Sequence, residues 1–196
     1  MRTDQRLRRT VRLAGLFNLG YFGVEFVVAL EIGSVSLFAD SIDFLEDASI
    51  NFLIFAALGW GAASRARVGM ALAGVLLFPA IATLWTAWEK LYLPVAPAAV
   101  PLTLAGVGAG IVNFACAYML AGYRTAGGSL TRAAFLSARN DVLANIAIVA
   151  AGLVTAFVWR SAWPDLIVGL GIAAMNADAA REVWTAARGE HAAARP

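Results

Sequence analysis

Apolar segments of membrane-spanning length are the feature that most constrains this chain. A helix needs about 20 apolar residues to cross the hydrocarbon core of a bilayer, and six segments of the sequence reach roughly that length. Backbone groups have no water to bond within lipid, so a run of this length is typical of a helix. The predicted segments are Val11–Ala29, Val35–Ala62, Val68–Leu93, Leu102–Tyr123, Arg132–Val158 and Trp163–Trp184.

The scarcity of charge supports the same fold class. Charged residues make up 14% of the chain, whereas soluble domains contain about 25%. We therefore predict an all-α, polytopic membrane protein with six transmembrane helices. Because the connections between segments are short, we expect a single six-helix transmembrane domain over residues 1–187, followed by a short polar C-terminal tail at 188–196.

The basic residues predict the orientation of these helices. Twelve of them lie in the termini and in the connections on the same side, whereas Lys90 and Arg160 lie on the opposite side. Cytoplasmic loops carry an excess of Lys and Arg, so both termini are expected in the cytoplasm. We expect the protein in the plasma membrane, which is the inner membrane of a bacterium. The twelve are Arg2, Arg6, Arg8, Arg9, Arg12, Arg65, Arg67, Arg124, Arg132, Arg181, Arg188 and Arg195.

Acidic residues interrupt the second apolar segment. Asp40, Asp43 and Asp47 recur at helical spacing and share a stripe about 80° wide with Ser36 and Asn51. An ionised acid at the bilayer centre costs on the order of 3 kcal/mol, so these groups are expected to face protein or water. A divalent cation or protons must then compensate their charge.

Pairing with buried basic residues is the alternative explanation of these acids. Only Arg139 lies deep in an apolar segment, and a single guanidinium cannot neutralise the whole cluster. A structural role is expected for Glu46, which lies off the stripe. Glu25 and Asn18 share a face of the first helix, where they either line the approach to the acids or join two helices.

The fifth segment carries a second buried acid. Ser137 and Asp141 lie one turn apart on one face, and Asn145 continues that face. Arg139 points in roughly the opposite direction, so it is not expected to neutralise Asp141. The Ser-x-x-x-Asp spacing is weak as a lone motif, and its weight comes from its place in a second membrane helix.

Together these motifs resemble the cation diffusion facilitators, a family of six-helix membrane proteins that export divalent metals. The family has a ligand-x-x-x-Asp pair on its second helix and another on its fifth. Asp43-x-x-x-Asp47 matches the first pair, and Ser137-x-x-x-Asp141 matches the second. The resemblance extends over almost the whole chain, and its weaker parts are Gly33-Ser-Val-Ser-Leu-Phe-Ala, Glu25, Asn113 and Trp163-Pro-Asp-Leu.

The resemblance implies a four-ligand metal site between the second and fifth helices. Its expected members are Asp43, Asp47, Asp141 and Ser137. The family usually has His or Asp at the position of Ser137, and a neutral hydroxyl is a poorer ligand than either. The fourth position is therefore expected to be filled by Asn140, Asp40 or water.

The resemblance also bears on assembly. The family's usual cytoplasmic metal-sensing domain is not expected here, because only Arg188–Pro196 follow the sixth segment. A homodimer is implied, and it would have to rest on contacts within the membrane.

Export of a divalent cation in exchange for protons is the function that the resemblance implies. Metal ligands must be deprotonated, so metal binding releases protons and protonation releases metal. An oxygen-rich site favours Mn²⁺, while the family resemblance keeps Zn²⁺, Co²⁺ and Cd²⁺ open. The metal is the transported substrate, and neither a cofactor nor a nucleic-acid partner is expected.

A non-transporting membrane metal sensor or scaffold, derived from such a transporter, is the alternative. The serine at position 137 and the expected short C-terminus motivate it. An enzyme is not expected, because the only histidine, His191, lies in the C-terminal tail. No Ser–His pair or histidine-bound metal can therefore form within the membrane.

Overall fold

Helices account for nearly all of the described chain. The computed structural model describes residues 2–57, 81, 83–123 and 128–193, and these residues contain no strand. The predicted all-α class is therefore confirmed over these ranges. The helices are α1 (Arg2–Ile32), α2 (Val35–Ala57), α3 (83–92), α4 (Ala99–Ala121), α5 (Gly128–Phe157) and α6 (Trp163–Ala193).

Among the described residues, three helical stretches are long and apolar enough to cross a membrane: Gln5–Ile32, Ala99–Ala121 and Ala138–Phe157. Helix α2, with 23 residues, is as long as Ala99–Ala121. It differs from the three apolar stretches by its acidic residues. The apolar part of α6 is shorter, at Trp163–Met175. Residues 68–80 and 82 of the predicted third span lie outside the described residues, so six spans stay a prediction.

The outermost helices extend beyond their predicted apolar segments. α1 begins at Arg2 and not at Val11, and α6 continues to Ala193, past Trp184 and into the predicted tail. Both extensions are rich in Arg, Ala, Gln, Leu or Glu, which have high helix propensity in water. Apolar length predicts the membrane-crossing part of a helix, whereas these polar residues allow the helix to run further.

A tight turn joins α1 to α2 and makes them antiparallel neighbours. Gly33 has a φ of 61°, which lies in the left-handed region that glycine adopts without strain. The N–H of Ser34 donates to the carbonyl of Ala29 at 3.0 Å and so closes the last turn of α1. We call this end of the bundle the Val35 end; it is the outer side in the predicted orientation.

Helix α2 occupies the centre of the bundle. It packs against α1, α4, α5 and α6, while α4 also packs against α1 and α5, and α5 against α6. Residues 34–44 are all buried as a consequence. An apolar cluster that includes Ala29, Leu37 and Leu102 fills the bundle on the Val35 side, and another that includes Val11 and Ile54 fills the opposite side.

The surrounding helices turn apolar side chains outward. Val24 on α1, Leu104 and Ile111 on α4, and Leu143 on α5 are all more than half exposed. Monomeric soluble proteins rarely expose contiguous apolar surface on this scale. A lipid environment accounts for such an exterior, and it leaves the polar side chains of α2 on the inside.

Candidate functional site

Between the two apolar clusters the bundle contains a layer of buried polar residues, which we call the polar layer. Helices α1, α2, α4 and α5 all contribute to it, and each of its side chains is at most 9% exposed. The expectation that the acids of α2 face protein and not lipid is confirmed. The members of the polar layer are Asn18, Glu25, Asp40, Asp43, Glu46, Asp47, Asn51, Asn113, Asp141 and Asn145.

Asp141 on α5 is a direct neighbour of the acids on α2. Its carboxyl group lies within hydrogen-bonding range of Asp47 and interacts electrostatically with Asp43. Two ionised carboxylates repel one another, so a proton or a cation between Asp47 and Asp141 is favourable. The amide of Asn18 on α1 donates to Oδ2 of Asp47 at 3.4 Å from the other side.

The predicted ligands are adjacent but do not yet converge. Among the described residues, no three His, Cys, Asp or Glu side chains are arranged so that they could hold a metal ion. Ligation by Asp43, Asp47 and Asp141 therefore requires rotation about their side-chain torsions toward a common point. The ligand set stays a prediction.

The predicted fourth ligands have different surroundings. The side chain of Ser137 lies outside the described residues. Asn140 is exposed, and its Oδ1 accepts a hydrogen bond from Arg139 at 3.3 Å. Asp40 is fully buried on α2 and is held by Asn145, whose Nδ2 donates to its Oδ2 at 2.5 Å. Of the two side chains that could replace Ser137, Asp40 therefore lies inside the polar layer, whereas Asn140 is exposed on the surface of the protein.

A hydrogen-bonded chain links three helices around Asp40, and a fourth helix places Glu25 beside it. Nδ2 of Asn113 on α4 donates to Oδ1 of Asn145 on α5 at 3.0 Å, and Asn145 in turn donates to Asp40 on α2. Glu25 on α1 lies within hydrogen-bonding range of Asp40 on the other side. Helical spacing places Asn145 on the face of Ser137 and Asp141, but the sequence alone does not reveal that it contacts Asp40.

A second charged cluster at the Val35 end was not predicted. Asp165, in the first turn of α6, is completely buried and accepts hydrogen bonds from the hydroxyls of Ser34 and Ser36 at 2.6 Å each. It also accepts from the backbone N–H of Val35 at 2.9 Å, so it caps the start of α2. Nζ of Lys90 on α3 lies 3.2 Å from Asp165 and donates to the carbonyl of Gly33. We call these five residues and Gly33 the α2 clasp.

Two sequence signals for the α2 clasp were available. Asp165 follows Pro164 at the beginning of an apolar run, which is typical of the first turn of a helix. Lys90 is one of only two basic residues on the predicted outer side. Neither signal identifies the partner, because Lys90 and Asp165 are 75 positions apart.

Comparison with known proteins adds one finding. A family model described as the cation efflux transmembrane domain matches residues 11–187. The match covers α2 to α5 completely and most of α1 and α6, and it includes the charged residues of the polar layer and the α2 clasp. A search of curated proteins found no match to this chain.

Proposed function

The chain belongs to the cation efflux family of integral membrane transporters, and from this premise we propose that it exports a divalent metal cation from the cytoplasm in exchange for protons. The observation that carries the proposal is the meeting of Asp141 on α5 with Asp43 and Asp47 on α2 inside the bundle. Carboxyl groups from two helices, buried within one polar layer, are expensive in a membrane unless an ion or protons occupy them.

The proton coupling follows from the chemistry of these groups. A metal ion binds carboxylates only when they are deprotonated, whereas neighbouring buried carboxyl groups such as Asp47 and Asp141 favour a proton when no cation lies between them. Arrival of the metal therefore displaces protons, and arrival of protons releases the metal. Exchange across the membrane requires that α2 and α5 present this site to each side in turn.

Oxygen ligands bear on the choice of metal. The ten residues of the polar layer supply carboxyl and amide oxygens, and the buried thiol of Cys116 lies beside them, with its Sγ donating to Oδ1 of Asn18 at 3.4 Å. The oxygen donors suit hard ions, so we propose Mn²⁺ as the preferred substrate, with Zn²⁺, Co²⁺ and Cd²⁺ as further candidates. We also propose six spans with cytoplasmic termini in a bacterial inner membrane, and a homodimer built on membrane contacts.

A flux assay in proteoliposomes tests this proposal. Purified protein is reconstituted with a pH dye inside, and Mn²⁺, Zn²⁺, Co²⁺, Cd²⁺ and Mg²⁺ are added in turn. We expect metal-dependent proton flux in the wild type and its loss in Asp47→Ala and Asp141→Ala. Asp178→Ala is the matched control, because Asp178 is an exposed carboxyl on α6 and should not affect flux.

Two other outcomes decide against parts of the proposal. Undiminished flux in both Asp47→Ala and Asp141→Ala would show that the site is assigned to the wrong residues. Metal binding by the wild type without any flux would favour the non-transporting sensor or scaffold.

A further inference from the structure

Glu25 and Asp40 are buried together, and three of their four carboxyl oxygens lack a hydrogen-bond donor among the described residues. Both side chains are 0% exposed, and their carboxyl groups lie within hydrogen-bonding range of one another. Neither oxygen of Glu25 and not Oδ1 of Asp40 has a hydrogen-bond partner among the described residues. Since a carboxylate offers only acceptors, three acceptor atoms meet in one buried place with nothing to donate to them.

The nearby donors are already engaged elsewhere. The hydroxyl of Tyr21, one turn from Glu25 on α1, donates to the carbonyl of Ala105 at 2.6 Å. The amide of Asn145 donates to Oδ2 of Asp40 and leaves Oδ1 free. The one buried basic side chain in the described part of the chain, Lys90, belongs to the α2 clasp. Buried polar atoms without partners are rare in native proteins, and a bound ion is one of the arrangements that explain them.

The pair is also oriented as metal ligands usually are. Asn145 fixes one oxygen of Asp40, and Asn113 fixes the amide of Asn145, so the carboxyl group of Asp40 is held in place beside Glu25. Hydrogen-bonded neighbours of this kind position the carboxylates that bind the ion in metal sites. A packing contact between two helices would not need this support.

The Glu25–Asp40 pair lies nearer the Val35 end than the three aspartates do. Asp40 lies about one helical turn from Asp43, toward the Val35 end. Beyond it the rings of Phe26 and Phe38 contact each other, with centroids 5.6 Å apart, within the apolar cluster on that side. Glu25 and Asp40 are therefore the last buried carboxyl groups of the polar layer before this apolar region.

We propose that Glu25 and Asp40 form a second divalent-cation subsite, next to the Asp43–Asp47–Asp141 site and nearer the Val35 end. The proposal rests on the proposed function, because the subsite is a second place at which the exported ion binds. Charge supports it: the polar layer has six carboxyl residues, and a single divalent ion balances only two of them. The subsite has oxygen ligands alone, so it suits Mn²⁺.

Equilibrium binding of Mn²⁺ to the purified full chain in lipid nanodiscs tests the subsite. We expect Glu25→Gln and Asp40→Asn each to bind one Mn²⁺ fewer per chain than the wild type at saturation. Electron paramagnetic resonance should show spin-coupled Mn²⁺ ions in the wild type and uncoupled Mn²⁺ in Glu25→Gln. Glu31→Gln makes the same chemical change at an exposed acid of α1 outside the polar layer and should keep both the stoichiometry and the coupling.

The result that would overturn the subsite is equal stoichiometry and affinity in the wild type, Glu25→Gln and Asp40→Asn. The pair would then hold a proton or serve only packing. Failure of the proposed function is distinct from this, because it would show as absent flux in wild-type liposomes whatever the number of bound ions. Size-exclusion profiles and melting curves verify that each variant is folded, and Asp40→Asn supplies the test if Glu25→Gln does not fold.

Discussion

Carboxyl groups are buried beside both the start and the middle of α2, but the two places differ in the hydrogen-bond donors that surround these groups. At the start, Asp165 is surrounded by hydroxyl and backbone donors and by the ammonium group of Lys90. In the middle, Glu25 has no donor to either oxygen among the described residues, and Asp40 has a donor to only one of its two. The two regions adjoin the same helix, and Asp165, Glu25 and Asp40 are equally buried.

This difference separates a structural acid from a binding acid. A buried charge whose bonds are all made within the protein stabilises one arrangement, and removing a single partner is costly. A buried acid whose oxygens lack donors destabilises the fold until a ligand arrives. The α2 clasp thus anchors the end of the helix, while the polar layer is available to a cation.

Removal of Lys90 should have the largest effect on stability. Lys90→Met leaves Asp165 buried without its counter-charge, and breaking such a pair costs about 3–5 kcal/mol. We expect the midpoint of unfolding in mixed detergent and SDS to fall accordingly. The double variant Lys90→Met/Asp165→Asn should lose less than the sum of the two single variants, because it leaves no uncompensated charge.

The comparison requires the opposite result in the polar layer. Asp43→Asn removes a charge that has no buried basic partner, so the same unfolding assay should show an unchanged or higher midpoint. If Lys90→Met and Asp43→Asn shifted the midpoint equally, the distinction between the two regions would fail.

The polar stripe of α2 could be predicted from the sequence, because helical spacing and the cost of acids in lipid are local properties. Asp40, Asp43 and Asp47 are buried as expected. The pairing of Lys90 with Asp165 could not be predicted, because it depends on where α3 and α6 meet the start of α2. Similarly, both Asn140 and Asn145 lie close to Asp141 in sequence, but only Asn145 is buried.

The close contact between α6 and the start of α2 gives the next largest effect. A Cβ atom on Gly169 would lie 2.7 Å from the carbonyl carbon of Val35, which is backbone and cannot rotate away. Gly169→Ala should therefore separate the helices and destabilise the α2 clasp, at about 1–3 kcal/mol for overpacking. The measurement is the same unfolding midpoint.

A control for this variant lies two residues further along α6. A Cβ on Gly171 would have no neighbour within 4 Å, so Gly171→Ala should keep or slightly raise the midpoint through its higher helix propensity. Equal losses in Gly169→Ala and Gly171→Ala would mean that contact with the start of α2 is not what Gly169 provides.

The smallest effect is expected for Asn113, which acts on the carboxyl groups of the polar layer only through Asn145. Asn113 does not touch a carboxyl group in the described structure, but its Nδ2 donates to Oδ1 of Asn145, which in turn orients Asp40. Asn113→Leu removes this donor and frees the amide of Asn145 to rotate. Loss of an outer-shell partner weakens metal affinity about 10- to 100-fold, and we expect the lower end because Asn145 itself remains.

Mn²⁺ titration separates this effect from a general loss of structure. Asn113→Leu should weaken only the binding step that Glu25→Gln removes and leave the other step unchanged. Thr185→Val is the control, because Thr185 is exposed and bonds only to the carbonyl of Arg181 among the described contacts. If both binding steps weakened together in Asn113→Leu, the polar layer would act as a single site, and the separation of Glu25 and Asp40 from the three aspartates would be wrong.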